Sequence, residues 1–214
     1  DFCLSRGLGD VYKRQGMEFK SSEIAIYKGG TDYTSVSEGG SPTGYFLRKY
    51  IQESTSFEPD KTVTNKHHWI IYRYAETLLT YAESMVMAFN NPKYTNADFP
   101  QSAEWALNEV RKNAGMPTVS ITDPTEFMKA LQNEWRVEFA FEDHRFWDVR
   151  RWQIAENTQK ELYGVSIERA ADGKLDFQRV LYKSRTWHQR MYLYPIPQNE
   201  LFKNKNLNPQ NTGW

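Results

Sequence analysis

The chain has 214 residues, 39% of them apolar and 25% charged, a composition that marks a globular protein able to bury a substantial core and sets it apart from disordered chains. Lys+Arg and Asp+Glu balance at 27 each, so the basic excess that phosphate binding demands is missing and no nucleic-acid partner is expected. A single cysteine, Cys3, rules out an intrachain disulfide and a cysteine zinc site, the histidines His67, His68, His144 and His188 show no metal-ligand spacing, so no metal and no cofactor are expected, and no apolar run is long enough for a transmembrane helix.

Residues 1–15, DFCLSRGLGDVYKRQ, have neither a helical nor a strand period. Their GDVYKRQ is similar to translated adapter sequence, so they are read as a non-native N-terminal extension, Cys3 included, and the fold is read over 16–214. Residues 17–66 are punctuated by Gly29, Gly30, Gly39, Gly40, Pro42 and Gly44, which predicts turns and extended pieces. The GGSPTG within them lacks the Lys-Ser/Thr pair of a phosphate loop.

The clearest helix is predicted over 69–90, where Ile71, Tyr74, Ala75, Leu78, Tyr81, Ala82, Met85 and Phe89 recur at spacings of three and four before Asn90-Asn91-Pro92 stops the pattern. A second is predicted over 101–114, with Ala103, Ala106, Leu107, Val110 and Ala114 as its buried stripe and Gly115 just past its end. The third has a strong start, Asp123 as N-cap, Pro124 at the first turn and Glu126 at the capping-box position, and is expected to run over 124–141 with Phe127, Ala130, Leu131, Glu134, Val137, Glu138 and Phe141 on one face. A short fourth helix follows at 145–153. Alternation over 163–183 around Asp172-Gly173 predicts a β-hairpin, and the proline-punctuated tail should hold a short helix near Pro197 and then an irregular arm.

The stretch EWRVEFAFEDHRFWDVRRW, residues 134–152, mixes acids, arginines and large rings without a clean polar face. Glycosidase chemistry needs two carboxyl groups about 5–9 Å apart across a bond. Glu134 and Glu138, at i and i+4, project from one helical face, and the neighbouring arginines would keep both ionised, which does not suit a general acid. Nucleic-acid binding through Arg145, Arg150 and Arg151 is cancelled by the acids beside them. Structural ion pairing fits better: Glu138, Glu142, Arg145, Asp148 and Arg151 would form a cluster that pins the turn between the third and fourth helices, with Phe139, Phe141, Phe146 and Trp147 keeping it partly dry.

Four blocks in order, IYRYAETLLTYAES, ALNEVRKNAGMP, EWRVEFAFEDHRFWDVRRW and YLYPIPQNELFKNKNLNPQNTGW, preceded by SPTGYFLRKY, closely resemble the C-terminal half of the SusD/RagB-like family, the outer-membrane nutrient-binding lipoproteins of Bacteroidetes. The resemblance implies a mainly α SusD-like fold, with tetratricopeptide-like helical hairpins plus loops and a small β-hairpin, and makes 16–214 the C-terminal portion of such a domain. It implies no catalysis, a surface-exposed place at the outer membrane, and capture of oligosaccharide or another nutrient for a SusC-like TonB-dependent transporter. The lipid-bearing cysteine and the N-terminal half that carries many ligand contacts in that family are absent here, so the membrane would be reached only through an anchor outside this sequence. Where the family usually has glycine after AFE, this chain has Asp143, which alters the expected turn.

Glycan capture needs exposed rings beside polar partners, and the candidates are Tyr33 beside Asp32, Trp69 beside His68, and Trp187 beside His188 and Arg185. Two other functions remain open. A helical-hairpin scaffold that binds protein and no sugar would show a bare helical groove, and a glycoside hydrolase would show unpaired carboxylates facing across a cleft.

Overall fold

Short-range signals account for several helix ends in the computed structural model, which describes residues 70–214 throughout and, before them, 18–19, 22–23, 25–30, 33–38, 40–45, 49–50, 55–56, 59–64 and 66. The 1–15 segment with Cys3, and Asp32, His67, His68 and Trp69, lie outside the described residues. The chain divides into two units, one of Leu47–Glu142 and one of Arg14–Phe46 with Asp143–Trp214.

Among its described residues the first unit holds three helices. Helix α1 spans Tyr74–Phe89 and starts five residues later than the periodicity predicts, because Arg73 is extended (φ −145°) and no side chain caps the start. Ile71 therefore lies outside the helix and is 89% exposed, and Tyr74 is exposed too; the buried face is Leu78, Leu79, Ala82, Met85 and Val86. Asn90 ends the helix in a left-handed conformation, φ 48°, as its position before Asn91-Pro92 suggests.

Helix α2 spans Ala103–Asn113, and the Ser102 hydroxyl accepts the Trp105 N–H at 3.0 Å. Ala103, Ala106, Leu107 and Val110 are buried, whereas Ala114 is the exposed C-cap. Past it the Met116 N–H bonds the Arg111 carbonyl and the Gly115 N–H bonds that of Lys112, both at 2.9 Å, the Schellman pattern with Gly115 at φ +67°. An added Cβ at Gly115 would meet no atom within 4 Å, so the cost of a side chain there is backbone strain alone. Gly115→Val is expected to destabilise by about 1 kcal/mol or more, read as a lower urea midpoint at unchanged slope.

The loop after α2 is fixed by side chains: the Asn108 carboxamide donates to the Val119 carbonyl and accepts its N–H, each at 2.8 Å, and Glu104 accepts the Ile121 N–H at 2.9 Å. Helix α3 spans Pro124–Glu138, and the Asp123 carboxylate accepts the Glu126 N–H at 2.8 Å. It stops three residues short of the predicted end. Phe141 is left-handed and exposed, so it does not share the buried face of Phe127, Leu131, Glu134, Trp135 and Val137. The three helices pack on one another around these apolar faces.

The second unit begins with a two-residue antiparallel pair, β1 (Glu18–Phe19) and β2 (Ser22–Glu23). Its helix α4, His144–Arg151, is entered through Asp143 in the left-handed region, φ 63°. Glycine is favoured in that conformation and aspartate tolerates it, which explains how the departure at 143 is accommodated. A short α5 (Ala155–Gln159), which no sequence signal announced, leads into the hairpin of β3 (Glu161–Arg169) and β4 (Leu175–Ser184). The hairpin turns at Asp172-Gly173, with the Lys174 N–H on the Asp172 carboxylate, and a register shift falls between Leu162 and Tyr163. Val165 and Ile167 are buried under the segment 25–45, whose Thr43 carbonyl accepts the Val165 N–H and whose Lys28 N–H bonds Ile167. Gly44 makes that approach: a Cβ there would stand 2.1 Å from the Val165 carbonyl oxygen.

The tail contains α6 (Gln198–Lys203), just after Pro197 as expected. Beyond it the side chains of Gln210, Asn211 and Trp214 fold back on the chain. The Gln210 amide accepts the Ile196 N–H and donates to the Ile196 carbonyl, both at 2.8 Å, and Asn211 donates to the Tyr194 carbonyl at 2.6 Å. The Trp214 indole reaches the carbonyls of Arg190 and Leu193.

Candidate functional site

Carboxylates are the residues that would carry hydrolysis, and in the first unit Glu134, Glu138 and Glu142 are held by cations. The Arg73 guanidinium donates from Nη1 to Glu138 at 2.7 Å and from Nε to Glu142 at 2.8 Å, and lies 4.3 Å over the Phe139 ring. Lys49 bonds the Ala140 carbonyl at 2.9 Å and also the Glu142 carboxylate. Glu134, buried on α3, takes Nη1 of Arg111 at 2.9 Å. Burial alone would raise the Glu142 pKa, yet the bonds and charges of Arg73 and Lys49 outweigh it and hold the carboxyl below its ordinary value.

A depressed folded pKa stabilises above the unfolded value and the contribution is lost as pH falls through the folded one. Glu142→Gln should therefore flatten the acid limb of a stability profile below about pH 4.5, read from urea midpoints across the acid range. An unchanged acid limb would show that Glu142 is not the group responsible.

Of the five residues expected to cluster, Glu138 and Glu142 lie in the first unit, where Arg73 and Lys49 serve them. In the second unit Asp148 is buried on α4 and takes Arg151 at 3.2 Å, while Arg145 and His144 act on it through charge. Burial outweighs these cations and pushes the Asp148 carboxyl above its ordinary value.

Nor do the rings of this stretch dry the ion pairs as a group. Phe139 is buried, but Phe141, Phe146 and Trp147 are exposed, because α3 ends early and α4 turns its first rings outward. Phe146 and Trp147 meet edge to face at 5.0 Å, and Tyr194 of the tail stands 6.2 and 6.5 Å from them. Trp147 and Tyr194 border an open cleft of about 960 Å³ in the second unit, walled by α4, by residues from 189–194 and by the clasped tail at 210–213. Trp147 is 59% exposed and Tyr194 61%, as a ring platform requires. Arg150 lies 3.5 Å over the Phe146 ring and donates to the Phe146 carbonyl, while Arg190 lies over the Trp214 ring and donates to the Gly213 carbonyl. Among the described residues three arginines line the cleft and no aspartate or glutamate does.

The sequence-based ligand candidates fall elsewhere. Tyr33 lines a smaller cavity of about 220 Å³ beside Val165, Ile167 and Lys28. Trp187 is half-buried against Tyr192 and below Arg150, with its indole N–H buried and unbonded among the described residues. Trp69 lies outside the described residues. Trp147, Tyr194, Arg150 and Arg190 were missed because each sits in a block that reads as packing; a signal was the tail's run of Tyr192, Leu193 and Tyr194, too apolar for an irregular arm without some surface to line. Among the described residues no group of His, Cys, Asp or Glu could hold a metal ion, and no helix is long and apolar enough to cross a membrane.

Among solved structures, a SusD-like protein of Bacteroides fragilis NCTC 9343 shares 33% identity with this chain at a TM-score of 0.65, over 83% of this chain and 32% of its own. A SusD-like carbohydrate binding protein of the same strain shares 28% identity at a TM-score of 0.61, over 90% of this chain and 39% of its own. The chain thus spans well under half the length of either. No curated protein matches it. The model of the SusD family matches residues 7–214, nearly the whole sequence, and the chain belongs to that family.

Proposed function

We propose that the protein captures oligosaccharide or a related nutrient without catalysis, at the surface of the outer membrane, and passes it to a SusC-like TonB-dependent transporter. The observation that carries the reading is the SusD family match over residues 7–214. The likeness to a SusD-like carbohydrate binding protein supports glycan as the ligand class. We take 16–214 as the C-terminal portion of a SusD/RagB-like domain, and the chain spans 32% and 39% of its structural relatives.

The carboxylates support a non-catalytic role. Glu134 and Glu138, the pair one turn apart, each receive a guanidinium, from Arg111 and Arg73. A carboxylate whose oxygen is taken by a guanidinium is poorly placed to protonate a leaving group. Purification of the full-length protein from outer membranes is expected to bring down a TonB-dependent transporter, and the protein should release no reducing ends from any polysaccharide. Turnover abolished by Glu134→Gln or Glu138→Gln would establish a hydrolase and overturn the reading, as would recovery of the protein without any transporter.

A further inference from the structure

We propose that the cleft between Trp147, Tyr194 and the clasped tail binds an acidic oligosaccharide, one that carries carboxylate or sulfate groups. The proposal rests on the glycan-capture reading above and narrows it to a ligand charge and a place.

The cleft combines two kinds of group. Trp147 and Tyr194 present exposed ring faces, on which the apolar face of a sugar ring can stack. Around them stand guanidinium groups and the amides of Gln153 and Gln189, whose donors suit sugar oxygens. The charge of the lining is one-sided. Arg151 has Asp148 as its partner, but among the described residues neither Arg150 nor Arg190 has a carboxylate within ion-pair distance.

Both are nonetheless held in place. Each guanidinium lies over a ring and gives one N–H to a backbone carbonyl, at 2.7 Å for Arg150 and 2.9 Å for Arg190. A guanidinium carries five N–H donors, so most remain for a ligand. Fixed forks of this kind match carboxylate and sulfate oxygens, and they gain most where no acid competes. A neutral sugar would stack on the rings equally well but would leave this positive charge unanswered. The requirement for anionic groups therefore comes from the arginines, and the requirement for a saccharide from the exposed rings.

The test titrates the full chain with four probes of matched length: an oligogalacturonate, a sulfated galactosaminoglycan oligosaccharide, a neutral maltooligosaccharide and a poly-glutamate peptide. Binding is followed by calorimetry and by tryptophan fluorescence. At least one acidic oligosaccharide is expected to bind about tenfold tighter than the neutral one, with the advantage shrinking as salt rises. The two acidic arms separate carboxylate from sulfate recognition. Arg150→Gln and Arg190→Gln should each weaken the acidic ligand by about tenfold, the loss of one charged bond, and weaken any binding of the neutral ligand by clearly less. Arg150→Lys should restore part of the affinity, which separates charge from folding, and the wild-type salt dependence needs no variant at all.

Equal affinity for neutral and acidic oligosaccharides would overturn the proposal, as would acidic binding indifferent to both arginine substitutions. Binding of poly-glutamate alone would assign the cleft to an acidic protein segment instead, and no binding of any probe would also overturn it. None of these outcomes touches co-purification with the transporter, so the broader reading stands or falls separately.

Discussion

Arg73→Met is expected to lower the unfolding free energy by about 3–4 kcal/mol, the range for removing one partner of a largely buried ion pair. The guanidinium answers two carboxylates at once, and the Glu142 and Glu138 side chains are only 8% and 14% exposed. Methionine keeps much of the packing over Phe139 and removes the charge, so the loss reports the stranded acids. Lys49 remains on Glu142, which keeps the effect below the sum for two orphaned carboxylates. Adding Glu142→Gln to Arg73→Met should recover part of the loss, because the amide no longer needs the cation. A loss below about 1 kcal/mol would place the pairs in the class of solvated surface bridges and remove the structural role assigned to them.

Phe127→Ala should cost about 3–5 kcal/mol, the range for deleting a buried aromatic side chain. Phe127 has no exposed surface and sits one turn inside α3, on the face that meets the other two helices of its unit. The measurement is a urea titration with the slope unchanged, which keeps the loss within the folded state. Trp147→Ala is the useful contrast: although the ring is larger, its exposure predicts a change within about 0.5 kcal/mol. A large loss at Trp147 would mean that the ring is packed in solution and that the cleft is closed.

What could be read from the sequence was set by contact distance along the chain. The Asp123-Pro124 start of α3, the glycine after α2 and the Asp172-Gly173 turn each act within a few residues, and each is found where the residues place it. The start of α1 was not legible, because Arg73 is held extended while it serves carboxylates 65 and 69 residues away. For the same reason Arg73 does not announce itself as a partner of Glu138 and Glu142, and the one hint is an arginine inside the apolar run WIIYRYAETLL. The cleft was less legible still. Its rings come from two blocks nearly 50 residues apart, Trp147 and Tyr194, and neither block shows on its own which faces stay in water.

The clasp of the tail gives the cleft a wall without a sheet. Gln210 and Asn211 imitate a strand's backbone with their side chains, so a stretch that belongs to no strand still closes one side of the cleft. Such a wall can be undone one residue at a time: Trp214→Ala would free the carbonyls of Arg190 and Leu193 alone, whereas Gln210→Ala would release both backbone groups of Ile196 at once.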